Sequence, residues 1–222
     1  MYSLSELFDK CLYATYENVG NDVSYTFEEE EDLLYIYFQC SYSKIDWFYN
    51  FLFKKLPYNE MNIPFKVHGG FLTCWKEVDD IIIKKITELD NSGSYRWKKI
   101  IIVGYSHGAA LAMLCHECCW FHRNDIVENI KTLAFDGPRV FGESEIAPEL
   151  AERWKNFILF RNHTDIVTHV PPKFLGFQHV GKLIQIGESA TYSCFASHKD
   201  PNITKSLKEL PYNDSWETYL FS

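Results

Sequence analysis

Gly104-Tyr105-Ser106-His107-Gly108 fits the pattern G-x-S-x-G and stands between a short apolar run, Lys99 to Val103, and a helix-forming stretch that begins near Ala109. Strand, sharp turn and helix in that order make the setting in which a serine hydroxyl is lifted out of a sheet as a nucleophile. An incidental Gly-Ser turn would show the same five letters, so the flanking strand and helix carry the reading. Gly104 and Gly108 are expected to flank the turn because it leaves no room for a Cβ on either side. The following helix would set partial positive charge beneath the Ser106 hydroxyl. A hydroxyl is a weak nucleophile at neutral pH and needs an imidazole base, itself oriented by an acid. The chain offers His68, His107, His116, His122, His163, His169, His179 and His198. Asp136 and Asp165 each follow an apolar run that reads as a buried strand, and strand ends deliver active residues in open α/β sheets. One oxyanion donor is expected to be the backbone N–H of His107, the residue after the serine.

The elements that must position these groups follow from periodicity. Leu4, Leu7, Phe8, Cys11 and Leu12 predict an amphipathic helix over 3–16. Val23 to Phe27 and Leu33 to Phe38 predict a hairpin whose solvated tip is the acidic run Glu28 to Asp32. Phe71, Trp75, Val78, Ile82 and Ile86 predict one helix over 71–89, and Ala109 to Trp120 another. Lys99 to Val103, Ile130 to Phe135 and Phe157 to Phe160 read as buried strands, with helical material at 147–154. Phe177 to Ile186 reads as a further strand and 199–210 as a last helix, with Asp200-Pro201 near its start. Strands alternating with helices imply a doubly wound, mostly parallel sheet with helices on both faces.

At 222 residues, 46% hydrophobic and 23% charged, the chain is expected to form a single domain over 1–222 with a real core. A net charge of -8 without a Lys/Arg stripe argues against nucleic acid and against charge alone holding the protein to an anionic membrane. Any lipid contact would have to be apolar. Met1 is followed by Ser3, Glu6, Asp9 and Lys10 without the order of a secretory signal, and no apolar run approaches the ~20 residues of a membrane span. Seven cysteines, an odd number without framework spacing, point to thiols in a reducing cytoplasm.

Beyond the serine motif, ordered segments resemble the class 3 (fungal-type) lipases of the α/β-hydrolases from about Asp32 to about Leu210. Lys66-Val67-His68-Gly69-Gly70-Phe71 resembles the family's Val-His-x-Gly-Phe segment, and Phe135-Asp136-Gly137-Pro138-Arg139-Val140 its Pro-Arg-Val strand end. Asn162-His163-Thr164-Asp165-Ile166-Val167, Pro171-Pro172 and Gly176-Phe177-Gln178-His179-Val180-Gly181 resemble the stretch that holds the catalytic acid. The resemblance implies a serine hydrolase cleaving carboxylic esters, of the acylglycerol type, through a Ser106–Asp165–His198 triad. It leaves Asp136 as a rival acid within a structural turn. It implies that His198, in Ser197-His198, is the base, and that His179 of the Gly-Phe-x-His-x-Gly segment is structural.

Phe38-Gln39-Cys40-Ser41 resembles the family's Phe-Arg-Gly-(Ser/Thr) strand end, which implies Ser41 as the second oxyanion donor. Gln39 and Cys40 depart from that pattern and motivate the alternative, a catalytically inactive scaffold binding lipid or protein. Trp47 to Tyr58 lie in an aromatic stretch between Tyr42 and Lys66 that corresponds to the family's lid, a surface for an acyl chain or a transient lipid interface; an ordinary core helix would have the same composition. Cys115, Cys118, Cys119 and His122 share a helical face and could suggest a metal, but a helix that follows the elbow should bury small cysteines as apolar groups. The proposed chemistry calls for no cofactor and no metal.

Overall fold

Ser3 starts the first helix, α1 (Leu4–Tyr13): its hydroxyl accepts the Glu6 N–H while the Glu6 carboxylate accepts the Ser3 N–H. That reciprocal cap satisfies two donors that the helix end would otherwise leave open. The computed structural model describes residues 2–20, 23–39, 53–58, 64–162, 165–187 and 200–221.

After α1, strands β1 (Glu17–Val19), β2 (Val23–Glu30) and β3 (Leu33–Phe38) form an antiparallel meander. The acidic run is not all solvated tip, because Glu28, Glu29 and Glu30 pair with Tyr35, Leu34 and Leu33. The turn shrinks to Glu31-Asp32, with Glu31 at φ 51°. Glu28 accepts from the Tyr2 and Tyr37 hydroxyls and the Lys10 ammonium. Burial pushes its carboxyl up, but those hydrogen bonds prevail and hold it below the usual range.

From β3 the sheet continues in parallel through β6 (Lys99–Tyr105), β7 (Ile130–Phe135), β8 (Phe157–Asn162) and β9 (Lys182–Ile186), in chain order. A separate antiparallel pair, β4 (Lys55–Tyr58) and β5 (Phe65–His68), occupies part of the aromatic stretch, which at these residues is hairpin rather than helix. The helix expected over 71–89 is two, α2 (Gly69–Trp75) and α3 (Asp79–Ile86), parted by a turn at 76–78. Helices α4 (His107–His122) and α5 (Pro148–Arg153) fill the next two crossovers. The strand expected over 177–186 is confined to β9, because Gly181 at φ 71° breaks the extended run. Two further helices follow, α6 (Asp200–Lys208) and α7 (Trp216–Phe221).

Alternation along the strands builds two apolar layers. Leu34, Ile36, Phe38, Ile100, Ile102, Ala134 and Leu159 face α2 to α5. Tyr35, Tyr37, Ile101, Val103, Leu133, Phe135, Ile158 and Phe160 face α1, α6 and α7, among them Phe8, Ile203, Leu207 and Trp216. Full burial of a side chain such as Phe8 contributes about 1.5–3 kcal/mol. Helices thus cover both faces of a mostly parallel sheet. The crossover helices pack on one face; the other is covered by helices from the two ends of the described chain.

Two polar clusters inside the first layer are held by hydrogen bonds and an ion pair. His116 donates from Nε2 to the Arg153 carbonyl at 2.8 Å, so its Nδ1 is left to accept the Thr132 hydroxyl, also at 2.8 Å. Burial pushes this imidazole down to about 4. Glu117 is ion-paired with Arg153, whose guanidinium lies over the Trp120 ring. Among the described residues no helix is long and apolar enough to cross a membrane.

Candidate active site

Because β3, β6, β7 and β8 run parallel, their carboxyl ends open on one edge of the sheet. Phe38 is level with Gly104, and Tyr105 with Phe135, which is level with Phe160. Gln39, Ser106, Asp136 and Arg161 are the next residues along these strands, and Asp165 lies four residues beyond Arg161.

Ser106 is the hinge between β6 and α4. Its φ of 55° and ψ of -117° lie where L-residues pay strain, of order 1–3 kcal/mol for such positions. Its N–H donates to the Phe135 carbonyl at 2.9 Å, and its carbonyl accepts the Ala109 N–H at 3.0 Å. The residue is 8% exposed. The flanking glycines are sterically required. A Cβ on Gly104 would stand 2.3 Å from the Gly108 carbonyl oxygen, and one on Gly108 would stand 2.1 Å from the Phe38 oxygen. The strand, turn and helix are therefore pressed into contact with backbone at every side, which fixes where the Ser106 Cβ can point. The His107 N–H, at the first position of α4, belongs to the open amide end of a sixteen-residue helix. Its ring is buried and lies tilted beside Phe71, centroids 5.8 Å apart.

Asp165 is fully buried in the loop after β8. Its Oδ1 accepts the Val167 N–H at 2.9 Å, and its own N–H donates to the Asn162 carbonyl at 3.0 Å. Its carbonyl accepts the Thr168 hydroxyl and the His169 Nδ1–H, each at 2.8 Å. A second ring of contacts holds the loop from outside. Arg139 donates through Nη1 to the His169 and Pro171 carbonyls, and its N–H donates to the Val170 carbonyl. His179 donates from Nε2 to the Thr168 carbonyl at 2.8 Å, and burial pushes its imidazole down to about 4, which keeps it neutral. Asp136, the rival acid, is fully buried at φ 44°, with Oδ1 accepting the Asn162 N–H at 2.5 Å, a tie between the ends of β7 and β8.

The structure thus sets Ser106 and Asp165 on one edge of the sheet, each in a firmly held segment. His198, Ser41, His163 and most of the aromatic stretch lie outside the described residues. The described part of that stretch, β4, is joined to the acid loop: Lys55 donates to the Gly176 carbonyl at 3.1 Å and lies over the Phe177 ring. His68 is enclosed by Phe53, Phe71 and Phe177, and burial pushes it down to about 4. His122 is the last residue of α4, far along the helix from Ser106. Cys115, Cys118 and Cys119 are buried in the apolar layer, and burial raises the Cys115 and Cys118 thiols. Among the described residues no three His, Cys, Asp or Glu side chains gather as a metal would require. Sequence reasoning missed Arg139 as the clamp on the acid loop. It also missed Thr168 and His169, and for these two the Asp165-x-x-Thr168-His169 spacing, which suits side-chain bonds to a carbonyl three or four residues back, is the available signal.

The family model described as Lipase (class 3) matches residues 35–175, which includes Ser106 and Asp165 and stops short of His198. A lipase of Rhizomucor miehei is 29% identical over 154 residues, 69% of this chain and 42% of that protein. A secreted mono- and diacylglycerol lipase of Malassezia restricta is 32% identical over 127 residues, 56% of this chain and 38% of that protein. The chain thus spans about two fifths of these relatives. Among solved structures, a triacylglycerol lipase described as having a serine protease triad for its catalytic centre superposes with a TM-score of 0.64 at 26% identity, covering 78% of this chain and 66% of that one. The Rhizomucor miehei triacylglyceride lipase gives 0.64 at 24%, covering 80% and 67%, which shows the shared fold. These relatives correct one expectation. The cytoplasmic setting is overturned, because the Malassezia restricta protein and a Penicillium cyclopium relative are secreted lipases by name. The cysteine argument for it also fails physically: Cys11, Cys115, Cys118 and Cys119 are buried, so packing shields these thiols whatever the redox potential outside.

Proposed function

The chain belongs to the class 3 lipase family, and from that premise we propose that it is a serine hydrolase of carboxylic esters, acting on acylglycerol-type lipids. The observation that carries the proposal is the backbone of Ser106, held in the left-handed region on a turn that only glycine flanks permit. A residue so strained, at the carboxyl edge of a parallel sheet and at a helix N-terminus, suits a nucleophile. In this reading Ser106 Oγ attacks the ester carbonyl while His198 takes its proton. The tetrahedral oxyanion is received by the N–H of His107 and by Ser41. His198 then passes the proton to the leaving alcohol, and water, activated by the same imidazole, releases the acid. Asp165 holds the imidazole tautomer and stabilises its charged form. The mono- and diacylglycerol and triacylglycerol lipases among the relatives support a lipid ester as substrate, and their secreted names support an extracellular setting.

Labelling by a fluorophosphonate tests this directly. The parent protein is expected to label and to hydrolyse nitrophenyl esters and diacylglycerol, and Ser106→Ala to do neither. An unlabelled, folded parent would overturn the reading and leave a non-catalytic scaffold. His198→Ala is expected to abolish turnover, whereas His179→Ala lowers stability and leaves turnover measurable; the reverse result would move the base to His179. Asp165→Asn is expected to lower kcat by about 10⁴-fold, as the wrong tautomer does in other triads.

A further inference from the structure

The turn after the acid loop carries an apolar side chain that the described elements do not bury. Phe174 is 86% exposed, the highest value for a large apolar residue among the described residues. Leu175 beside it and Phe53 across from it are more than a third exposed. Two contacts bring the segments that carry them together. Phe53 and Phe177 have ring centroids 6.4 Å apart, and Lys55 bonds the Gly176 carbonyl, which ties β4 to the 173–177 turn. The turn is stiff, with Leu175 N–H on the Pro172 carbonyl, Gly176 N–H on the Lys173 carbonyl, and Arg139 on the Pro171 carbonyl. These bonds hold the backbone that presents Phe174.

Charge selects the occupant. The whole chain is acidic, at -8, yet exposed Lys54 and Lys173 adjoin Phe53 and Phe174 in sequence, and Lys55 bridges the two segments. Ionic screening cuts off fields beyond about 8 Å at physiological salt, so this local cluster acts before the net charge is felt. Apolar groups flanked by lysines match a bilayer surface, where rings enter the acyl boundary and ammonium groups meet anionic headgroups. Ile166, beside Asp165, is also exposed, which extends the apolar character toward the proposed catalytic edge.

We propose that the turn Lys173-Phe174-Leu175, with Phe53 and Lys54, is a fixed anchor that docks this protein on anionic lipid surfaces beside the catalytic edge. The proposal rests on the reading of the substrate as a lipid, but it needs no catalytic step. It also amends the expectation drawn from net charge: charge alone does not hold the chain to a membrane, and three local lysines assist an apolar anchor.

Ser106→Ala protein, which leaves the lipid intact, is sedimented with vesicles of phosphatidylcholine alone or mixed equally with phosphatidylglycerol. Mixed vesicles are expected to bind it more tightly, with affinity falling as salt rises. Adding Phe174→Ser is expected to weaken binding about tenfold, and adding Lys54→Glu with Lys173→Glu to remove most of the preference for anionic vesicles, at about fivefold per lysine. Phe174→Trp, compared with its parent, is expected to add emission that shifts to the blue on mixed vesicles. Phe174→Ser binding within twofold of the parent, at an unchanged melting temperature, would overturn the anchor. Equal binding to both vesicle types would overturn the anionic preference. A parent that sediments as a dimer and becomes monomeric in Phe174→Ser would assign the patch to self-association instead. None of these readings depends on fluorophosphonate labelling, so the anchor and the catalytic proposal fail separately.

Discussion

At the serine turn, position is enforced by contact between backbone atoms, with Gly104 and Gly108 pressed against the Gly108 and Phe38 carbonyls. At the Asp165 loop, position is enforced by side chains that reach main-chain carbonyls: Thr168, His169, His179 and Arg139 each donate one or more hydrogen bonds there. Steric enforcement tolerates no added atom and is indifferent to pH. Hydrogen-bonded enforcement loosens by steps, and it depends on protonation wherever an imidazole takes part. Two regions of one site should therefore fail in different ways.

The sharpest break is Gly108→Ala. A Cβ 2.1 Å from a carbonyl oxygen cannot be absorbed by a side-chain rotation, so loss of soluble protein or a collapse of the melting temperature is expected. Parental stability in the Gly108→Ala protein would mean that the turn is not sterically closed. Next comes Arg139→Met, which leaves the His169 and Pro171 carbonyls without their donor at a cost of about 1–3 kcal/mol in urea unfolding. A loosened acid loop should lower kcat about tenfold with KM unchanged, since imidazole orientation supplies transition-state stabilisation, and Arg139→Lys should recover part of it. If KM rises instead, Arg139 acts on substrate binding and not on the acid.

Acid sensitivity comes third. His116, His68 and His179 are held neutral at about 4, below the ordinary 6.5. Above pH 6.5 neither state binds the proton; as pH falls from 6.5 toward 4 the unfolded chain is protonated first, so stability is progressively lost. For fully buried His116 the loss by pH 5 is about 2 kcal/mol. Urea unfolding at pH 7 and pH 5 measures the total, and His116→Gln should reduce the difference. The smallest effect is expected from Ser106→Gly, which should gain about 1 kcal/mol by relieving the left-handed backbone while abolishing activity.

Much of this was legible in the sequence. Strand β7 begins and ends where its apolar run does, and β6 outlasts the expected run by the two residues that lead into the turn. The elbow was readable because its constraints are local, five residues between a strand and a helix. The clamp on Asp165 was not, because Arg139 and His169 are thirty residues apart and meet only across the sheet edge. The break at 76–78 was hidden for another reason: Trp75, Val78, Ile82 and Ile86 keep helical spacing through it, and all are buried. Strand β4 escaped notice because Pro57 sits inside it, a residue tolerated on the edge of a two-stranded pair.

The division of the helices between the two faces has a consequence for synthesis. The α2–α5 side can be covered as each crossover emerges, so Ile100 and Ile102 find α4 within a few dozen residues. On the opposite side, among the described helices only α1 can shelter Val103, Leu133 and Ile158 until Ile203, Leu207 and Trp216 leave the ribosome. A half-built molecule therefore presents one wet, oily flank for the translation of roughly a hundred residues, and that flank is where a folding helper, or an unwanted aggregate, would first take hold.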